Sequence, residues 1–195
     1  MTGSGSCEEC GGQLRFGNGV HLSGRGDSGR LLCLECFNAF VSARTGVDFE
    51  HPRFSPVAID DCDGDTHTFE LRTMFSGDVV TLRAVELFDT GKEGYEFLVV
   101  GDPEEDTMQL FGRLYDSMRR ELGRKHLVET GLGLSIGDGQ VVTARITSDS
   151  ERDGHVPRLV IDGREIPWDE FGRMLMAYEG FKFKLQIYEL DDEEP

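Results

Sequence analysis

The sequence predicts an α+β protein in which a small N-terminal module precedes a mainly antiparallel sheet with two helices on one face. Three observations lead there. Two Cys-x-x-Cys pairs fall near the N-terminus, short runs of alternating apolar residues recur from Val57 onward, and two later stretches switch to helical 3-4 spacing. At 195 residues the chain can hold one ordinary domain plus a small module, and its 38% hydrophobic and 29% charged residues are those of a chain that folds.

Cys7-x-x-Cys10 and Cys33-x-x-Cys36 are separated by 22 residues. A Cys-x-x-Cys turn sets two sulfurs on one side of the backbone, and a second such turn completes a tetrahedral four-cysteine set for structural Zn2+. Gly11 and Gly12 suit the positive-φ positions of such a turn. Between the pairs, Gln13–Phe16 and Val20–Leu22 read as short strands around Gly17-Asn18-Gly19, a hairpin signal. After the second pair, residues 36–44 read as a short helix with Phe37, Phe40 and Val41 on one side. Two disulfides would need an oxidising compartment, and thioredoxin-like chemistry would leave the second pair unexplained. Four thiolates also close the metal shell, which argues for a structural ion and against catalysis at it.

This order of turn, hairpin, turn and helix resembles treble-clef and zinc-ribbon modules over residues 7–44. The resemblance implies a Zn2+ held by Cys7, Cys10, Cys33 and Cys36, and a module of residues 1–44 that depends on the ion for its fold.

Residues 45–56, with two prolines and no periodic pattern, are expected to be a linker to an α+β domain at 57–190, followed by an acidic tail at 191–195. Val57–Asp60 and Thr66–Phe75 read as strands flanking the acidic turn Asp61-Cys62-Asp63-Gly64-Asp65. Phe69, Leu71, Thr73 and Phe75 share one face of the second. Val79–Phe88 and Tyr95–Gly101 read as two more strands. A helix is expected from Pro103, with Met108, Phe111, Tyr115, Met118 and Leu122 along it and Leu114 beside them. Val141–Thr147 and Leu159–Ile161 are expected strands, and Trp168–Tyr178 a second helix. Phe181–Leu190 is expected to close the sheet, with Phe181, Phe183, Leu185 and Ile187 inward and Lys182, Lys184 and Gln186 in water.

The stretch from His51 onward, including HPRFSPVAIDDCDGDTHTF, YEFLVVGDPE and LVIDGREIPWDEFGRMLMAYEGFKFKLQI, resembles an uncharacterised bacterial domain family. The resemblance implies a shared fold and a prokaryotic setting, and it transfers no catalytic residues.

Several motifs dissolve on inspection. Counting from Asp61, the positions that a calcium loop needs as Gly and Glu hold Thr66 and Arg72, so the acidic run reads as a turn. The glycines at 131, 133 and 137 follow a helix and lack the Lys-Ser/Thr of a phosphate loop. Arg25-Gly26-Asp27 reads as a polar turn, and the five histidines form no paired motif. Cys62 and His67 have no further ligands nearby in sequence.

The net charge is −17, and residues 1–44 are balanced at four Arg and four acids, so the whole excess lies beyond them. Such a field repels phosphate backbones and favours basic partners. No apolar run is long enough to span a membrane and no signal peptide is evident, so the expected location is the cytoplasm. The function expected is that of a non-catalytic zinc-binding protein that engages a protein partner. Two other classes compete. In one, Arg15, Arg25 and Arg30 of the zinc module read nucleic acid, a reading the charge disfavours. In the other, Asp162, Arg164, Glu165, Trp168 and Asp169 form an enzyme site between a strand and a helix.

Overall fold

The structure is a computed structural model that describes residues 5–14, 17–23, 29–88, 94–131, 133–149 and 154–192. It is an α+β chain with mostly antiparallel sheets and, among the described residues, three α-helices. The elements run β1 (Gly19–Leu22), β2 (Arg30–Cys33), α1 (Leu34–Thr45), β3 (Val57–Asp60), β4 (Thr66–Phe75), β5 (Val80–Glu86), β6 (Glu96–Gly101) and α2 (Thr107–Leu122). Then follow β7 (Leu127–Thr130), β8 (Gly133–Ile136), β9 (Arg145–Ser148), β10 (Pro157–Ile161), β11 (Arg164–Pro167) and α3 (Trp168–Leu175), which ends in a 3-10 turn at Met176–Tyr178. Strands β1 and β2 pair, β3-β4-β5-β6 form a four-stranded sheet, β7 and β8 pair, and β11-β10-β9 form a three-stranded sheet.

Two compact units share these elements. The first comprises Met1–Ser55, Leu71–Ala84 and Leu98–Leu114, the second Pro56–Glu70, Val85–Phe97 and Tyr115–Pro195. In the first unit, Phe37 and Phe40 of α1 pack with Leu22 and Leu31 against buried Cys7, Leu14 and Leu32. Residues 46–56 hold no helix or strand, yet Phe49 stacks on Phe75 at 4.6 Å and Phe54 on Phe111 at 5.6 Å. In the second unit, Leu159, Ile161 and Ile166 of the β9–β11 sheet bury a core with Leu127 and with Met174 of α3.

Strands β3 and β4 have the boundaries that alternation predicts, and the turn between them is built by Asp61, whose Oδ1 accepts the N–H groups of Asp63 and Asp65 at 2.9 Å each. Other expectations need correction. Val20–Leu22 pairs with Arg30–Leu32, and among the described residues Gln13 forms an isolated bridge to Ser6. Arg15 and Phe16 lie outside the described residues. Helix α2 starts at Thr107 instead of Pro103, since Asp106 Oδ1 accepts the N–H groups of Met108 and Gln109 at 2.7 and 3.2 Å and so caps it. Its buried row is Leu110, Leu114, Met118 and Leu122 at i, i+4 spacing, and Met108 is 63% exposed. The stretch at 141–147 shortens to β9, while β7, β8 and β11 join the expected strands. Asp162 (φ 49°) and Gly163 (φ 69°) both adopt the left-handed region, which makes the two-residue turn that folds β11 back on β10. The largest departure is Phe181–Leu190. Residues 181–189 belong to no strand, and Phe181, Phe183, Leu185 and Ile187 are 69–78% exposed.

Candidate metal centre

The first Cys-x-x-Cys turn is drawn tight by its own backbone. Cys7 N–H donates to the Gly12 carbonyl at 2.8 Å and Gly11 N–H to the Cys7 carbonyl at 2.8 Å. Gly11 sits at φ 70°, where a side chain would be strained. Two bonds then dock this turn beside β2. Glu8 N–H donates to the Leu31 carbonyl at 2.9 Å, and Leu31 N–H returns to Glu8 Oε1 at 3.0 Å. Because Leu31 is two residues before Cys33, this docking fixes the distance between the two cysteine pairs.

The second turn is the junction of β2 and α1. Cys33 is the N-cap of α1, and its Sγ accepts the Cys36 N–H at 3.4 Å. Cys7, Cys10, Cys33 and Cys36 thus converge, their sulfurs all within 4.8 Å of one another, with Cys10 and Cys33 3.9 Å apart. A tetrahedral site with Zn–S bonds of about 2.3 Å has sulfur–sulfur edges of about 3.8 Å, close to the Cys10–Cys33 separation. The four residues can hold one metal ion. They are the sole group of three or more such ligands found among the described residues.

The thiols have unequal environments. Burial pushes the Cys7 thiol up, but backbone N–H groups at Cys10, Cys33 and Glu9 outweigh it and bring it down to about 6. Burial pushes Cys33 and Cys36 upward, and the adjoining cysteines add to this at Cys36. Four crowded sulfurs cannot all ionise without a cation among them, which is the electrostatic condition a bound metal relieves.

Around the centre, the guanidinium groups of Arg30 and Arg44 lie over the Phe40 ring at 5.7 and 5.6 Å, and Arg30 pairs with Glu9 at 3.5 Å. Of the arginines proposed to read nucleic acid, Arg30 is therefore engaged within the module, and Arg15 and Arg25 lie outside the described residues.

The residues offered for an enzyme site separate into structural roles. Asp162 accepts the N–H groups of His126 and Leu127 at 2.8–3.1 Å, pinning the start of β7. Arg164 pairs with Glu129 at 2.9 Å, and Glu165 with Arg158 at 2.8 Å. Trp168 is half exposed, its ring 5.9 Å from Phe171 of the same helix, and Asp169 belongs to the first turn of α3. Asp162 and Arg164 do border a cleft of about 370 Å3, together with Asp63, Lys125 and Glu129.

A polar assembly that sequence spacing does not disclose lies beside that cleft. Lys125 Nζ reaches Asp61 Oδ2 at 2.8 Å and Asp63 Oδ2 at 2.9 Å. His67 Nε2 stands 3.4 Å from Asp61 Oδ2, while its Nδ1 meets Glu86 Oε1 at 2.6 Å. Glu86 Oε2 in turn accepts the Tyr95 N–H at 2.9 Å. Burial would raise the Asp61 pKa, but Lys125, the turn N–H groups and His67 together hold its carboxyl well below the usual range. Asp61 and Asp63 likewise hold the Lys125 ammonium well above its usual value against the effect of burial.

Comparison with known proteins adds two matches. Residues 50–123 are similar to a domain of unknown function (DUF7686), and residues 125–192 to a second domain of unknown function (DUF7713). The cysteine cluster precedes both. No curated protein and no solved structure matches the chain.

Proposed function

We propose that this chain is a non-catalytic zinc-binding protein, with Cys7, Cys10, Cys33 and Cys36 as ligands of one structural Zn2+ in a treble-clef or zinc-ribbon type module. The observation that carries this is the convergence of four sulfurs within 4.8 Å at the end of one hairpin and the start of one helix. Soft thiolate donors in a tetrahedral set favour zinc, and with all four positions filled by protein no open site remains for a substrate. When bound, the ion neutralises charge and ties the first turn to the β2–α1 junction; it supplies no step of a reaction.

In this reading residues 1–44 are the metal module, 45–56 the connector, 57–190 the main domain and 191–195 an acidic tail. The chain acts by engaging a protein partner. Its net charge of −17 favours a basic surface on that partner and opposes nucleic acid. Reduced thiolate ligands fit a cytoplasmic setting.

Metal analysis of freshly purified full-length protein tests the centre. One zinc per chain, with four thiols that become titratable only after chelation, is the expected result. A ratio well below one, with four thiols freely titratable from the start, overturns it. For the partner, affinity purification in low and high salt should retain a stoichiometric protein whose binding falls as salt rises. Recovery of nothing stoichiometric at either salt removes the adaptor reading and leaves the metal assignment standing.

A further inference from the structure

The sheet β11-β10-β9 stops one strand short of its own core. Ile166 of β11 lies directly across from Leu159 of β10, and Leu159 across from Ile146 of β9. Residues opposite one another project from the same face, so these three form one row. Ile166 and Leu159 are 2% and 6% exposed, within the buried cluster that also holds Ile161 and Met174. Ile146, last in the row, is 56% exposed. Among the described residues no strand pairs with β9 on the side away from β10. The edge therefore offers both backbone hydrogen-bonding groups and an uncovered apolar row.

A strand-like segment without a sheet lies in the same unit. Residues 181–187 alternate strictly, with Phe181, Phe183, Leu185 and Ile187 69–78% exposed and Lys182, Lys184 and Gln186 between them. The segment follows Gly180 at φ 88°, just after Phe181 N–H closes the last turn on the Tyr178 carbonyl at 2.9 Å. A period of two on a chain that pairs with no strand is the pattern of a strand awaiting one.

We propose that residues 181–187 form an exchange arm that adds to the β9 edge of a second copy of this chain, each copy giving one arm and receiving one. Three features select a second copy as the occupant. The arm does not pair with its own β9 edge. It carries two lysines and no acid, so within this acidic chain it is a segment that can approach a second copy without adding like charge. Reciprocal exchange about a two-fold axis closes, so every donated arm has an acceptor edge and no open filament results. Two Phe, one Leu and one Ile from each copy, with the surface they cover, bury on the order of 1,500 Å2, the size of a stable interface. The arm's apolar row would continue Ile166–Leu159–Ile146 by one more residue, leaving the lysines on the opposite face.

Sedimentation velocity on the full-length protein over a wide concentration range tests this. Wild-type protein is expected to dimerise, and Ile146→Asp and Leu185→Asp are each expected to be monomeric over the range in which wild type is dimeric. An equimolar mixture of the two variants should regain a heterodimer, since one arm and one edge in that pair remain intact; contact between two arms would show no such rescue. Circular dichroism should show both variants folded, because neither side chain lies in the core of its own copy. Wild type that stays monomeric, a dimer insensitive to Ile146→Asp, a mixture without rescue, or a Leu185→Asp variant that unfolds would each overturn the proposal.

Discussion

Asn38 in α1 accepts the Phe75 N–H at its Oδ1 (2.9 Å) and donates from Nδ2 to the Thr73 carbonyl (3.0 Å), so one buried amide joins the helix carrying Cys36 to strand β4. Its second Nδ2 hydrogen meets His51 Nδ1 at 2.7 Å. Replacing Asn38 by Ala leaves β4 and His51 groups without their partner in a fully buried place. We expect a loss of about 3 kcal/mol in urea unfolding, with Asn38→Asp at least as damaging because its carboxylate would face the Thr73 carbonyl.

The same geometry sets a pH dependence. His51 can accept from Asn38 at Nδ1 only in its neutral form, and burial together with Arg53 lowers its pKa from 6.5, against a smaller opposing pull from Glu35. Between the folded value and 6.5 the unfolded chain binds the extra proton, so His51's contribution is complete above 6.5 and is lost as pH falls below it. Unfolding free energies of wild type and His51→Leu should therefore converge as pH is lowered from 7 toward 5, and a constant difference would contradict this protonation state.

On the zinc assignment we propose, chelation, or Cys→Ser at Cys7, Cys10, Cys33 or Cys36, should loosen the module. Hydrogen exchange is expected to quicken first at the Cys7–Gly12 turn and across β1, β2 and α1, since some forty residues with so small an apolar cluster cannot hold without the ion. Cys62→Ser, outside the cluster, should leave zinc content and exchange unchanged.

Asp61 gives the clearest acid sensitivity. Its side chain is 2% exposed and serves the β3–β4 turn and Lys125 at once. Asp61→Ala is expected to cost about 3 kcal/mol, and Asp61→Asn less, because an amide oxygen can still accept the turn N–H groups. With the folded carboxyl held below its ordinary 3.8, its contribution is present above 3.8 and lost as pH falls beneath it. The acid limb of the stability profile should be shallower in Lys125→Met, where the cation that holds the carboxyl ionised is gone.

How much of this was legible in the sequence depends on the range of the interaction that decides it. The clustering of Cys7, Cys10, Cys33 and Cys36 could be read from spacing because two short turns fix most of it locally. Strands β3 and β4 could be read because the turn between them is made by Asp61's own neighbours. The start of α2 was misplaced by a local rule with two answers: Pro103 and the acids after it look like a first turn, and Asp106 caps the helix instead. The links from Asn38 to β4 and from Asp61 to Lys125 span 35 and 64 positions, and no periodicity reports such contacts. Phe181–Ile187 shows the opposite limit. Its alternation signals a strand, but a pattern in one chain does not say which sheet it joins.

Cys33 is at once a thiol of the metal set and the residue whose sulfur starts α1. A reagent that alkylates this single atom therefore removes a sulfur from the cysteine cluster and uncaps a helix in one event. Asn38 stands five residues further along that helix, so the damage arrives within two turns at the backbone of Thr73 and Phe75. Thiol chemistry at the N-terminal hairpin would thus be recorded as a change in a β-strand some forty residues away in sequence.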